Sequence, residues 1–175
     1  PDAATIQQLR KQVYTNLIAI PSIIGGDNGY LGLAMPAGAY TIRAGVPFTE
    51  PNHPGELPIY VAGTTSPIIT AGNRVYDTNL ATFNKFIIVR NAVKKQIMEA
   101  VHKRYYALLE DDLMGMADIA VLTILNHLTT NYGTVTASDL ITNRSKLETA
   151  WNPDEPFEDF WKHIQLIRNI ATAGG

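Results

Sequence analysis

Four histidines, His53, His102, His127 and His163, are the side chains best suited to proton transfer or metal binding near neutral pH. None is spaced as in His-Glu-x-x-His. His127 precedes Leu128 on a helical stripe, the setting of a partly buried, hydrogen-bonded histidine. His53 stands among prolines and is expected to be exposed. Glu110-Asp111-Asp112 concentrates carboxylates but lacks the alternating oxygen ligands of a calcium loop, so an acidic turn is expected. Gly26, Gly29 and Gly32 share the spacing of a phosphate-binding turn. They follow a helix and a proline rather than a strand, and no Gly-Lys-Ser/Thr occurs. There is no Gly-x-Ser-x-Gly and no Asp-Ser/Thr-Gly. The chain has no cysteine, which removes disulfides, thiol nucleophiles and zinc knuckles from this sequence. Asn143-Arg144-Ser145 matches a glycosylation sequon, read here as accidental. No enzyme, cofactor or metal is expected.

Charge offers a second kind of chemistry. Residues 85–104 carry Lys85, Arg90, Lys94, Lys95, Lys103 and Arg104 against Glu99 alone, whereas residues 105–175 hold ten acids and four bases. The six cations are candidates for contact with RNA or with the acidic region of another copy. The alternative is two ordinary solvated helix faces. Net charge is −2, so no global attraction to nucleic acid or anionic membrane is present. Only 17% of residues are charged against 46% hydrophobic, leaving neutral surface for partners. No apolar run is long enough to span a membrane. Pro1-Asp2 lacks the features of a secretory signal and reads as a processed or trimmed start; Ala171 to Gly175 reads as a linker or truncation.

These residues are positioned by helices. Ile6, Leu9, Val13, Leu17 and Ile20 give a helix over 3–20, stopped by Pro21. A Gly25–Gly29 turn follows, then a piece over 30–35 that reads as extended. Pro36 opens a short helix that ends near Gly45. Five prolines make 46–67 irregular or polyproline-like. Helical pattern returns over 70–105, with a break expected at 88–93, and over 117–132, where Gly133 is read as a left-handed stop. Thr136 and Asp139 form a capping box for 137–150. Asn152-Pro153-Asp154-Glu155-Pro156 leads into 156–171. The fold class is therefore mainly α: a multi-helix region with a long proline-rich irregular segment, divided as 1–67 and 68–175 or continuous. The predicted core is Leu9, Val13, Leu17, Leu80, Phe83, Ile97, Leu125, Leu128, Phe160, Trp161 and Ile164.

The order of these punctuation marks carries a resemblance. Leu125-Asn126-His127-Leu128-Thr129-Thr130-Asn131-Tyr132-Gly133-Thr134-Val135-Thr136, completed by Asp139-Leu140, resembles a helix–turn–helix run in Gag-like proteins of copia-type LTR retrotransposons of the diatom and algal kind. Trp151-Asn152-Pro153-Asp154-Glu155-Pro156-Phe157-Glu158, Val46-Pro47-Phe48 and Arg104-Tyr105 with Leu108 are similar to further elements of that family. The resemblance spans about residues 5–172. It implies a capsid-like helical fold that assembles with itself into virus-like particles around element RNA, in the cytoplasm. The family's Cys/His nucleic-acid-binding tail is absent here, so RNA contact through this segment is expected to be weak. The competing expectation is a helical protein–protein interaction module, domesticated or not, that forms no particle.

Overall fold

A computed structural model describes residues 3–148, 152–154 and 156–173. The protein is mainly helical, and among the described residues there is no strand, only the isolated bridges Ser22–Gly26 and Asp111–Gly115. The helices are α1 (Ala3–Ala19), α2 (Ala37–Ala44), α3 (Ser66–Ala100), α4 (Val121–Tyr132), α5 (Ala137–Leu147) and α6 (Phe157–Ala173). They form two compact units, residues 11–125 and residues 1–10 with 126–175. The whole proline-rich segment lies inside the larger unit.

In the larger unit, Val13 and Leu17 of α1 are fully buried. Gly29 turns the chain back against the end of this helix. Its φ is +55°, and an added Cβ would lie 2.3 Å from the Leu17 carbonyl oxygen, so no other residue fits. The turn lets the Tyr30 amide donate to the Leu17 carbonyl at 2.9 Å, satisfying a group that the helix end leaves open. Residues 30–35 are not extended as expected. Leu31–Leu33 is a 3₁₀ turn, and Tyr30, Leu31, Leu33 and Ala34 are all buried. A strand buries alternate residues and cannot serve that pattern. Pro36 precedes α2, and Gly45, at φ +75°, ends it by donating to the Thr41 carbonyl.

Residues 46–65 contain neither helix nor strand. This arm runs back along the first half of α3. His53 packs edge-on against Phe83, the Tyr76 hydroxyl donates to the Gly55 carbonyl, and the Tyr60 hydroxyl donates to Ile69 O and Asn73 Oδ1. Seven residues of polyproline-like chain cover ~22 Å, and the α3 span from Ile69 to Phe83 covers ~21 Å. An extended arm therefore keeps pace with the helix it lies on.

The break expected at 88–93 does not exist: α3 is one helix of 35 residues. Phe86, Val89, Val93 and Ile97 carry one buried stripe straight through, and no Gly or Pro interrupts 73–100. The helix stops at Ala100, short of the expected 105, and 3₁₀ turns follow at Lys103–Tyr105 and Ala107–Leu109. Phe83 faces the arm, and both Leu80 and Phe83 are only half-buried, while Leu9, Val13, Leu17, Ile97, Leu125 and Leu128 are buried as predicted. Helix α4 begins at Val121 rather than near 117, because the Asp111–Gly115 turn and residues 117–120 occupy the approach.

In the smaller unit, Ala3, Ile6, Leu9, Leu128 and Ile167 are buried. Gly133 follows α4, but its φ is not positive; glycine is required because a Cβ would lie 2.7 Å from Thr129 O. The capping box is present: the Asp139 amide donates to Thr136 Oγ1 at 3.2 Å, and the Thr136 amide donates to Asp139 Oδ2 at 2.9 Å. Trp161, predicted to be core, is 53% exposed. Phe160 and Ile164, also predicted to be core, are only half-buried; with buried Ile167 they set the inward face of α6, and Trp161 is turned one residue away from it. Trp151 and the end of the helix predicted to reach 150 lie outside the described residues.

Candidate interaction surface

The six cations singled out by sequence do not form one patch. Lys94 is buried, with 6% of its surface exposed. Its Nζ donates to the carbonyls of Met116 and Ala117, tying α3 to the chain that enters α4. Burial and the neighbouring Arg90 hold its pKa below the usual lysine value, and Asp118 opposes them. Arg90 is half-buried with its guanidinium 5.8 Å from the Phe86 ring centre, and among the described residues its buried Nε has no hydrogen-bond partner. Lys85 is exposed and donates to the Pro21 carbonyl at 2.8 Å. Lys95 pairs with Glu99 across one helical turn at 3.7 Å. Lys103 pairs with Glu110 at 3.0 Å, and that hydrogen bond and charge raise its pKa. Arg104 lies over the Tyr105 ring. The basic stretch thus meets the acidic one within the chain, at Lys103 and Glu110.

The other chemistry-bearing residues are also engaged locally. Asp111 Oδ1 accepts from the amides of Met114 and Leu113, which depresses its pKa and closes an acidic turn, as read from the sequence. His127 is half-buried beside Asn131, and exposed His53 accepts from the Gly55 amide. His102 Nδ1 accepts from the Arg104 amide and caps the first 3₁₀ turn. Asn143, the sequon asparagine, is 4% exposed, and its Nδ2 donates to Ile167 O at 2.8 Å. That amide is unavailable to a modifying enzyme in the folded chain. Among the described residues no three His, Cys, Asp or Glu side chains gather as metal ligands, and no helix is long and apolar enough to cross a membrane.

What sequence reasoning missed is apolar and lies in the larger unit. Leu57, Ile59 and Val61 of the arm are 56, 92 and 80% exposed, and Ile68 and Val75 of α3 are each 60% exposed. On the adjacent flank of α3 is an open groove of about 540 Å³, lined by Pro21, Ile23, Thr78, Ala81, Thr82 and Lys85. A signal for this surface existed. From Leu57 to Asn73 the chain carries no charged residue, which is unusual for an exposed arm and helix start. No protein-family model, curated protein or solved structure matches this chain.

Proposed function

We propose that this chain is a structural protein that assembles with copies of itself, of the Gag-like capsid kind, and that it performs no catalysis. The observation that carries this reading is the amount of large apolar side chain left exposed on each of the two units. Ile23, Leu57, Ile59, Val61, Ile68 and Val75 are exposed in the larger unit, and Phe157, Trp161 and Leu166 in the smaller. Single exposed apolar residues are ordinary, but clusters mark contact surfaces. A surface on each unit is what a protein needs to join more than one neighbour. Trp161 and Phe157, on the exposed edge of α6, belong in this reading to contacts between copies.

RNA, in this reading, is held weakly by the segment. Lys94 is withdrawn from the surface, and Lys85, Lys95, Lys103 and Arg104 are dispersed and locally engaged. A monomer would bind nucleic acid feebly and lose it with added salt, whereas a particle in the cytoplasm would sum many such contacts.

Negative-stain electron microscopy of the purified chain tests the proposal. Uniform multi-subunit particles are expected. A monodisperse monomer would overturn it and favour the second reading, a helical interaction module whose groove beside Lys85 receives a different protein.

A further inference from the structure

Helix α3 uses one stripe in two ways. Its C-terminal half buries Phe86, Val89, Val93 and Ile97 in the unit's own core. Continued toward the N-terminus, the same stripe passes through Thr82, Asn79, Val75, Gly72 and Ile68. Ile68, Val75, Thr82 and Val89 follow at seven-residue steps, with Gly72, Asn79, Phe86 and Val93 between them, the a/d spacing of a helix that packs against another helix. Over this first half the arm covers one flank, through Ile69, Gly72, Asn73, Tyr76 and Phe83, with the Tyr60 hydroxyl seated over Gly72, and the groove borders the other. Between them Ile68 and Val75 are left 60% exposed.

We infer that a second copy of this chain covers the stripe, with the two α3 N-terminal halves antiparallel about a two-fold axis at Val75. This inference rests on the self-assembly reading and names its pairing surface. A parallel partner would have to follow the stripe into the core around Phe86 and Val89, so the antiparallel orientation is the one left open. The open stripe is centred on Val75, with Ile68 and Thr82 each seven residues away, ~10 Å along the axis. Antiparallel pairing therefore sets the Ile68 end of one helix level with Thr82 of the other. Thr82 and Thr78 border the groove, which gives the partner's helix start, with its exposed Pro67 and Ile68, an apolar seat.

The same symmetry brings the two arms to one side of the helix pair, where Leu57, Ile59 and Val61 add to the contact. These five apolar side chains offer on the order of 500 Å² per copy, the larger part of the ~800 Å² per partner that a stable pair buries. A two-fold contact is isologous and closes on itself, so it yields a dimer and leaves the surface of the other unit free for further joining.

The chain contains no cysteine, so single introduced thiols report directly on this geometry. Under mild oxidation V75C is expected to give a disulfide-linked species of twice the 19.2 kDa chain mass. I88C, 67% exposed on the opposite face of the same helix, is expected to stay unlinked. V75E is expected to abolish the dimer in light scattering while leaving far-ultraviolet helicity unchanged. Linking of V75C no faster than I88C would overturn the inference, and self-linking of I68C as fast as V75C would overturn the antiparallel arrangement. If V75E still forms particles as the unaltered chain does, the pairing fails and the self-assembly reading stands. If the unaltered chain is monomeric at every concentration, both fall.

Discussion

At the residue scale, Lys94 shows how position outranks residue type. In sequence it is one of six cations in a basic stretch; in the fold it closes two carbonyls 22 and 23 residues away. Nothing local announces those partners, so its role is not legible in the sequence, whereas Thr136 and Asp139 stand three residues apart and spell out their cap locally. Lys94→Met is expected to lower stability by about 1–3 kcal/mol, because the Met116 and Ala117 carbonyls lose their donors. Lys95→Met, at an exposed pair, is expected to change stability by no more than about 0.5 kcal/mol. Denaturant melts of the two variants check this. The lowered pKa of Lys94 means the folded state holds that proton less tightly than the unfolded one. Its charge therefore costs stability at neutral pH, and the cost fades as pH rises from the folded value toward 10.5. Asp111 behaves in the opposite sense. Its folded pKa lies below 3.8, so its contribution is full above that value and is lost as pH falls through the folded pKa. The protection of the Leu113 and Met114 amides against exchange, relative to the intrinsic rate at each pH, is expected to fall in acid, and Asp111→Ala to lack that protection already at neutral pH.

At the scale of elements, helix starts and stops written in adjacent residues were legible. Pro36 and Gly45 bracket α2, and Thr136 opens α5. Thr136→Ala is expected to cost about 1 kcal/mol in thermal or denaturant unfolding, the worth of an N-cap side chain. Burial was legible only where neighbours surround a helix. The apolar pattern of α6 includes both Trp161 and Ile167, yet the first is 53% and the second 3% exposed. Trp161→Ala is accordingly expected to cost no more than about 1 kcal/mol, and Ile167→Ala about 2–5 kcal/mol. Equal losses in paired melts would contradict this placement of α6. The unbroken α3 is not legible in the sequence, because a helix of 35 residues exceeds the usual length and its support lies elsewhere in the chain. Its first half is supported by the arm instead of by a second helix, and the tyrosine contacts that hold the arm, Tyr60 and Tyr76, join residues 9 to 21 apart.

For the whole molecule, helical class is legible in the sequence. The exposed apolar surface was hidden because a stripe written for packing looks the same whether its partner is the same chain or another copy. Phe86 and Val75 belong to one stripe, and only the fold shows that the first is covered and the second is not. Sedimentation velocity of the unmodified chain over a wide concentration range reads self-assembly itself. Species heavier than 19.2 kDa that grow with concentration are expected, and a single 19.2 kDa species at every concentration would rule self-assembly out.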